Sequence, residues 1–503
     1  MRGLYINCDD TNIPASAELA KQYSKKFVFP SDLGQGQVIF SPDEWPDDPI
    51  YSYKNNTFIV AGWFIYKQKR NNLAELAADI YETGVEVVEN ILAGSFLLYW
   101  WDGATASVIV DPFGISSHYI DLHSKTIRIA PSVKVLYDPQ SHTHNALQQS
   151  ILEKKHHLFG DFTIYDGIER LTPGHVFNSQ GKTPYTKLIH SQYISLEEVG
   201  IEVRELASYW HKNNCVLPLS SGLDSRFILA NNAFKNGFTY GPKNSPEITI
   251  AGKFKEDFDN YYAYDFSEPK LHLLEAEINR EMSFGVLKPI ERLLTNYAHV
   301  KAHFKNVFVF FDGYCGDVFQ RGTFINFKGV QGELLKIFPW VYPLLKWDAR
   351  KILRKRHSVL TDEEFEVIYN DFHQKTSSLA LDDLQKVTYY EFLFGRGGRY
   401  AVFGSNILCA QFFSVVSPFA QKHIFNAVIH QNFYDSIKYK SMKRLWRNLP
   451  EKYKKEKVES GYSLNTNVML IPFIQIIYRI MFHLMPSRAN YGVKMRREEK
   501  KKR

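Results

Sequence analysis

The stretch Cys215–Ala230 constrains the fold more than any other part of this sequence. A short apolar run ends at Leu219, small and hydroxyl residues follow, and Phe227, Leu229 and Ala230 continue with the apolar spacing of a helix. This pattern predicts a strand, a tight turn and a helix, which is the repeating unit of α/β proteins.

The turn has the composition of an anion site. Ser220, Ser221 and Ser225 offer hydroxyl groups, Gly222 lets the backbone approach a ligand, and the first N–H groups of the helix point to the same place. Asp224 would repel a bare phosphate, so its presence favours a Mg²⁺ ion between the carboxylate and the phosphate. The residues predict a site for pyrophosphate with a metal. An ordinary strand-to-helix turn with a serine N-cap is the alternative that they leave open.

A second stretch, Val307–Gly322, repeats this arrangement. An apolar run again ends in a turn of small residues that carries an acid, Asp317. If both strands belong to one parallel sheet, Asp224 and Asp317 meet at its carboxyl edge and can share one Mg²⁺.

The loop Ser220–Ser225 resembles the Ser-Gly-Gly-x-Asp-Ser loop of the PP-loop ATP pyrophosphatases in the form found in asparagine synthetases, with Ser221 in place of a Gly. The resemblance implies ATP and Mg²⁺ as ligands, with the adenosine between this strand and the next, predicted over Phe238–Gly241. The ATP-binding residues that it implies are Leu219, Ser220, Ser221, Gly222, Asp224, Ser225, Tyr240, Gly241 and Gly313.

The second stretch resembles the Ser-Gly-Glu-Gly-Ala-Asp-Glu segment of the same family through Gly313 and Asp317, with Tyr314 and Val318 at the places of the two glutamates. A Tyr there resembles the β-lactam and carbapenam synthetases, where it acts with an acid as a base on an amine. Glu391 is the candidate partner acid. Ordinary packing of Tyr314 is the alternative.

Two later segments fit the same family. Lys440–Leu445 with Leu449-Pro450 resembles its Lys-x-Leu-Leu-Arg and Leu-Pro pair, which implies that Lys440 stabilises the leaving pyrophosphate. In isolation the run is typical of a solvated basic face. Ser417–Gln421 resembles Arg-x-Pro-Phe-Leu-Asp without its Arg and Asp, so substrate recognition is expected to differ.

The first part of the chain predicts strands over 57–66, 94–102, 107–111 and 126–130 and a helix over 73–92, a layered α/β pattern. Gly94–Phe96 and Asp111–Ile115 resemble the glutaminase-type domain of asparagine synthetases, which implies an αββα layering. In glutamine-using members Met removal exposes a catalytic Cys. Here that position is Arg2, and Cys8 lies in a predicted strand, so glutamine hydrolysis is not expected.

Length and composition set the outline. The 503 residues suffice for two or three domains, predicted as a glutaminase-like domain over 1–190, a synthetase domain over 195–460 with a helical later part, and a helical extension with a basic tail over 461–503. The four cysteines have no ligand-like spacing, which argues against disulfides and zinc and favours the cytoplasm. The net charge of +7 is too small to indicate nucleic acid.

The apolar stretch Val468–Met485 is interrupted by Pro472, Gln475 and Arg479, which argues against a spanning helix. A docked core helix or, with the basic tail behind it, a weak peripheral membrane contact are the two interpretations.

Taken together, the sequence predicts an ATP-dependent, AMP-forming carbon–nitrogen ligase that resembles asparagine synthase without its glutaminase activity. The expected partners are a small-molecule or peptide carboxylate and an amine or ammonia. Ring closure, amidation of a sugar acid or another metabolite, and ammonia-dependent asparagine synthesis all remain open, and Tyr314 disfavours the last. A nucleotide-binding or scaffold protein descended from such enzymes is the alternative of a different class.

Overall fold

The chain is a mixed α/β protein, as the sequence predicts. The computed structural model describes residues 3–8, 25–31, 34–40, 49–116, 118–243, 245–264, 286, 290–327, 330–410 and 412–484. Antiparallel sheets come first along the chain, and a parallel sheet follows. Arg2 and the basic tail lie outside the described residues.

Three antiparallel sheets are present among the described residues before Val199. Their orders are β1-β3-β2, β10-β9-β11, and β13-β12-β8-β7-β5-β4 with β6 beside β5. Their strands are β1 (Gly3–Tyr5), β2 (Lys25–Ser31), β3 (Gly34–Phe40), β4 (Ile50–Tyr53), β5 (Asn56–Tyr66), β6 (Lys69–Arg70), β7 (Ala93–Trp101), β8 (Ala106–Val110), β9 (Tyr119–Asp121), β10 (Ile129–Ala130), β11 (Ile168–Arg170), β12 (His175–Asn178) and β13 (Gly181–Pro184).

The predicted strands over 57–66, 94–102 and 107–111 are confirmed as β5, β7 and β8. Two predicted elements are shorter than expected. Of the strand over 126–130 only β10 forms, because Ser124 and Thr126 hydrogen-bond to each other in the turn before it. The helix over 73–92 ends at Thr83, since Gly84 takes a φ of +99° that does not continue a helix.

The second half is built around a parallel sheet of five strands. Its strands are β14 (Cys215–Pro218), β15 (Asn236–Tyr240), β16 (Asn260–Tyr264), β17 (Val309–Phe311) and β18 (Ser414–Val416). Their order across the sheet is β16-β15-β14-β17-β18, and every neighbouring pair is parallel. The chain thus runs outward in one direction from β14 and in the other from β17, as in doubly wound sheets.

Helices cover and extend these sheets. The described α-helices are α1 (Leu73–Thr83), α2 (Val133–Leu136), α3 (Ala146–Lys155), α4 (Val199–Ser208), α5 (Asp224–Asn231), α6 (Pro246–Ala251), α7 (Ile290–His303), α8 (Gly316–Arg321), α9 (Val330–Ile337), α10 (Ala349–Arg356), α11 (Asp362–Thr376), α12 (Asp383–Leu393), α13 (Ile407–Cys409), α14 (Lys422–Ile429), α15 (Phe433–Ile437), α16 (Lys440–Leu445), α17 (Glu451–Lys455) and α18 (Ile471–Leu484). A π-helix spans Arg396–Asn406, and 3₁₀ segments span Val85–Asn90, Lys212–Asn214, Gly252–Asp257, Thr323–Ile325, Pro339–Leu345 and Pro418–Ala420. Within the described part of the chain, none of the helices has the length and apolarity needed to cross a bilayer.

The two halves interlock through buried side chains. Arg399 on the π-helix donates hydrogen bonds to the carbonyls of Phe159, Gly160 and Phe162, at 3.4, 2.7 and 2.9 Å. From the first half to the second, Trp63 on β5 donates through Nε1 to the carbonyl of Val415 on β18, at 2.8 Å. Both contacts satisfy carbonyls that would otherwise be buried without a donor.

Replacing Arg399 by Met should destabilise the protein strongly, because it leaves three carbonyls without their donor, at a cost of about 3 kcal/mol. The matched control is Arg444→Met, whose side chain is 47% exposed and pairs with Glu197. That change should cost less than about 1 kcal/mol. The thermal unfolding midpoints of both variants test this, and equal midpoints would contradict the interlock.

Candidate functional site

The two loops that the sequence singles out lie side by side at the carboxyl edge of the parallel sheet. They follow β14 and β17, the adjacent strands between which the chain reverses its direction across the sheet. A Cβ atom on Gly316 would lie 2.8 Å from Cβ of Asp224, and one on Gly313 would lie 3.1 Å from N of Ser225. Ligands of doubly wound sheets bind at this position, and glycine is needed for so close an approach.

The loop after β14 is held by its own serines. The amide of Ser220 donates to Oγ of Ser225 at 3.0 Å, and the amide of Gly222 donates to Oγ of Ser220 at 3.1 Å. Before it, the amide of Leu219 donates to the carbonyl of Phe238 on β15, at 2.6 Å. Helix α5 begins at Asp224, with Leu223 as an N-cap residue that makes no side-chain cap bond. The loop is therefore not an ordinary turn with a serine N-cap.

A carboxyl group already contacts this loop. The amide of Ser221 donates to Oε2 of Glu247 on α6 at 2.7 Å, and Oγ of Ser221 lies 3.5 Å from Oε2 of Glu459. The pKa of Glu247 is raised overall, because burial and the charge of Glu459 raise it by more than the hydrogen bond from Ser221 lowers it. A phosphate oxygen that took the Ser221 amide would have to displace Glu247.

Arg226 ties the loop to the chain that covers it. Its buried guanidinium donates to the carbonyl of Ser221 at 3.2 Å and to those of Glu456 and Lys457 at 2.7 and 3.3 Å. Burial lowers its pKa to about 10, so it remains a cation at neutral pH. Because these donors are engaged with carbonyls, Arg226 shapes the loop and is not positioned to bind a phosphate.

Asp224 lies in a strongly acidic environment. Its Oδ1 accepts a hydrogen bond from Nε2 of Gln320 at 2.7 Å, and Oδ2 lies 4.0 Å from Nη2 of Arg321. Burial raises the pKa of Asp224, Arg321 lowers it, and the nearby carboxyls of Asp317 and Asp312 raise it again, to about 7. A carboxyl of this kind gains from a nearby cation more than an ordinary surface carboxyl does.

The acids fit a nucleotide-bound Mg²⁺ better than a fully protein-bound metal. Within the described part of the chain, no three His, Cys, Asp or Glu side chains are grouped as metal ligands. Mg²⁺ commonly takes one or two carboxylates and completes its shell with phosphate oxygens and water. Asp224 and Asp317 match that requirement in number and in chemistry.

Three contributors to this environment were not predicted from the sequence. Gln320 fixes Asp224 and is itself held by Nε1 of Trp446 at 2.9 Å. Arg321 places a positive charge near Asp224 and Asp317. Burial alone would lower its pKa, but Tyr462 and these two acids raise it overall. Asp312 directly follows β17, and an acid at the end of a buried strand was the one signal that could have identified it.

Tyr314 and Glu391 occupy different surroundings. Tyr314 is buried, and its ring lies 6.0 Å from that of Phe392. Burial, and to a smaller extent the neighbouring Cys315, raises its pKa well above 10. Glu391 lies 2.7 Å from Nε of Arg356 and 2.9 Å from Nε2 of His357. Burial opposes its ionisation, but Arg356 first and the neighbouring His357 second hold its pKa well below the usual value. Adjacent helix residues face different ways, so the contact of Phe392 with Tyr314 directs Glu391 elsewhere.

The remaining predicted residues lie at the rim of the site. Lys440 begins α16, is 58% exposed, and places Nζ 3.8 Å from Oδ1 of Asp435. Helix α16 packs against α8, which carries Asp317. The strand predicted over Phe238–Gly241 is β15, which begins earlier, at Asn236, and ends at Tyr240. The amide of Gly241 donates to the carbonyl of Tyr264 at 3.1 Å. Helix α6, which carries Glu247, begins at Pro246.

Cys8 has no nucleophilic character in this fold. Its Sγ donates to the carbonyls of Ile6 and Ile129, at 3.3 and 3.2 Å, just beyond β1. Burial raises the pKa of the thiol to about 12, which leaves almost no thiolate at neutral pH. The prediction that Cys8 lies in a strand is wrong, since β1 ends at Tyr5 and Asn7 takes a φ of +52°. The lack of glutamine hydrolysis stays a prediction.

No protein-family model matches the chain, and no curated protein matches it at a significant level. Among solved structures, it is similar to one described as the allosteric regulatory enzyme of purine biosynthesis. The identity is 10%, the alignment covers 52% of this chain and 78% of the other, and the TM-score is 0.19. So loose a superposition determines neither the fold nor the function of this chain.

The raised pKa of Asp224 predicts a specific pH dependence of stability. The unfolded chain ionises this group near pH 4 and the folded protein near pH 7, so ionisation destabilises the fold increasingly over that interval, and fully above it. Asp224→Asn cannot ionise and keeps an acceptor for Gln320. In Mg²⁺-free buffer, its unfolding temperature should exceed that of the wild type at pH 8 by more than at pH 5.

The control is Asp259→Asn, which changes a carboxyl that is 66% exposed. Its difference from the wild type should stay constant between pH 5 and pH 8 when measured in the same scans. A constant difference for Asp224→Asn as well would show that Asp224 does not lie in the acidic environment described above.

Proposed function

We propose that this protein is an ATP-dependent, AMP-forming amide synthetase, which adenylates a carboxylate and transfers the acyl group to an amine or ammonia. The observation that carries the proposal is the meeting of Asp224 and Asp317, from the loops after β14 and β17, at the place where the strand order reverses. The resemblance of both loops to those of asparagine synthetases supports the same chemistry.

The residues take distinct roles in this proposal. The hydroxyls of Ser220 and Ser225 donate to the pyrophosphate part of ATP, Gly222 lets the loop backbone approach it, and the segment after β15, at Tyr240 and Gly241, borders the adenosine. Mg²⁺ held by Asp224 and Asp317 would neutralise the pyrophosphate as it leaves. Arg321 adds positive charge on the same side of Asp224.

The substrate carboxylate attacks the α-phosphorus, which forms an acyl-adenylate and releases pyrophosphate. An amine or ammonia then attacks the acyl carbon, forms the amide bond and expels AMP. Side-by-side binding of the two reactants supplies a large part of the rate. Lys440 is assigned to the leaving pyrophosphate by resemblance, and reaching it from the rim requires its side chain to turn away from Asp435.

In this proposal Tyr314 does not act as the base that the resemblance implies. Since burial holds its phenol neutral, it serves as a hydrogen-bond donor at the loop more readily than as a base. Glu391 is not included, because it is already paired with Arg356. The proposal takes an amine or ammonia from solution as the nitrogen source.

A nucleotide-binding protein without turnover is the second candidate. The specific observation in its favour is the Glu247 carboxyl at the Ser221 amide, a place that a phosphate would need. In that case ATP would bind without any exchange reaction. The acids Asp224 and Asp317 argue against it, because a chain released from chemistry gains nothing from carboxylates beside a phosphate site.

The test is ATP–pyrophosphate exchange by the full chain with Mg²⁺ and a panel of carboxylates. Exchange should depend on one class of carboxylate and fall at least about 100-fold in Asp224→Ala, since removal of one electrostatic contact to the transition state has effects of this size. Asp259→Asn, on the exposed surface, is the matched control and should exchange like the wild type.

Two other outcomes decide between the candidates. ATP binding without exchange, for every carboxylate and also with ammonia and amines present, would favour the nucleotide-binding candidate. Exchange that is equal in Asp224→Ala and wild type would place the reaction elsewhere and refute the assignment of this site.

A further inference from the structure

Helix α18 is apolar on the side that packs on the protein, through Ile471 and Ile474, and also on the side that faces solvent. One face is anchored: Ile471 is fully buried, Oε1 of Gln475 accepts a hydrogen bond from the hydroxyl of Tyr439 at 3.0 Å, and the ring of Tyr478 lies over Gly461. The opposite face is apolar and exposed. A helix that only docked on the core would expose its polar face instead.

The exposed apolar side chains form a continuous surface with a neighbouring helix. On α18, Phe473, Ile477, Ile480 and Leu484 follow one another at helical spacing and are 42 to 76% exposed. Helix α9 packs beside α18, where Arg479 pairs with Glu333 and the ring of Phe338 lies 6.4 Å from that of Phe473. We call this surface the C-terminal ridge; it consists of Leu334, Phe338, Phe473, Ile477, Ile480 and Leu484.

Aromatic and aliphatic side chains extend the ridge at one end. Trp340 and Leu344, in the 3₁₀ segment that follows α9, are 40 and 75% exposed. Tryptophan and phenylalanine are the residues that interfacial helices insert at the boundary between headgroups and acyl chains. Exposed apolar surface of this extent marks an interaction site in a folded protein.

The charge of the chain indicates what kind of partner covers the ridge. Residues 466–503 contain nine Lys and Arg but only two Asp and Glu, a formal charge of +7, which equals that of the whole chain. The 465 residues before them are therefore neutral in sum. All of the net positive charge belongs to the segment that contains α18 and the tail directly behind it.

This distribution argues against a second copy of the chain as the partner. Two copies that met through their ridges would bring two strongly basic tails together, at an electrostatic cost. An anionic surface with an apolar interior satisfies both features at once, because it buries the ridge and attracts the tail.

We infer that the C-terminal ridge docks the protein on an anionic membrane surface, with α18 lying in the interface and the basic tail on the lipid headgroups. Neither signal suffices alone, since stable peripheral binding generally needs apolar insertion combined with a basic cluster. The inference is independent of the proposed ATP chemistry, which uses the carboxyl edge of the parallel sheet.

The experiment is co-sedimentation of the full chain with vesicles of phosphatidylcholine, with or without phosphatidylserine. The wild type should bind the vesicles that contain phosphatidylserine and be released by high salt. Ile477→Asp and Ile480→Asp should each weaken binding about tenfold, because each places a charge in the apolar layer. Val359→Asp is the matched control, with a side chain 60% exposed outside the ridge, and it should bind like the wild type.

A second variant tests the tail. Truncation of residues 485–503 leaves the ridge in place and should lower the affinity for phosphatidylserine vesicles about tenfold or more. If truncation instead strengthens binding, the tail itself covers the ridge and the inference is wrong. Equal binding by Ile477→Asp and wild type, or no binding by the wild type, would also overturn it.

The oligomeric state without lipid is the remaining measurement. Light scattering should give the same mass for the wild type and Ile477→Asp. A wild-type dimer that Ile477→Asp converts to a monomer would assign the ridge to a second copy and overturn the membrane inference.

Discussion

The arrangement of the candidate site depends on the adjacency of β14 and β17 in the parallel sheet. The chain runs outward from β14 to β15 in one direction and from β17 to β18 in the other, so the carboxyl ends of β14 and β17 lie where the strand order reverses. Asp224 and Asp317 reach that gap from different loops, and Gly313 and Gly316 provide the space for them to do so. Burial is the main cause of the raised pKa of Asp224, Arg321 opposes it, and the charges of Asp317 and Asp312 add to it. A buried carboxyl beside other acids is the physical reason to expect a cation there.

Two hydrogen bonds join the antiparallel half to the last strand of the parallel sheet and to the segment that follows it. Trp63 reaches the carbonyl of Val415 on β18, and the side chain of Gln421 accepts a hydrogen bond from the amide of Gly94 at 2.9 Å. Gln421 thus makes a structural contact between the two halves.

The sequence predicts the elements of the site better than their partners. The strand, turn and helix at Cys215–Ala230 and the next strand and helix were predictable, because small residues after an apolar run leave few alternatives. Glu247 at the Ser221 amide, Gln320 at Asp224 and Arg356 at Glu391 were not predictable. Each contact joins residues far apart along the chain, and local pattern carries no information on such pairs. Resemblance likewise grouped Tyr314 with Glu391, whereas packing of α12 directs the two apart.

The decisive measurement for a nucleotide–metal site is calorimetric titration of the full chain with a non-hydrolysable ATP analogue, with and without Mg²⁺. The analogue should bind only when Mg²⁺ is present, and Asp224→Asn, although folded, should lose at least about tenfold in affinity, or about 1.4 kcal/mol. Binding of equal strength without Mg²⁺, or in Asp224→Asn, would contradict a nucleotide–metal site between β14 and β17.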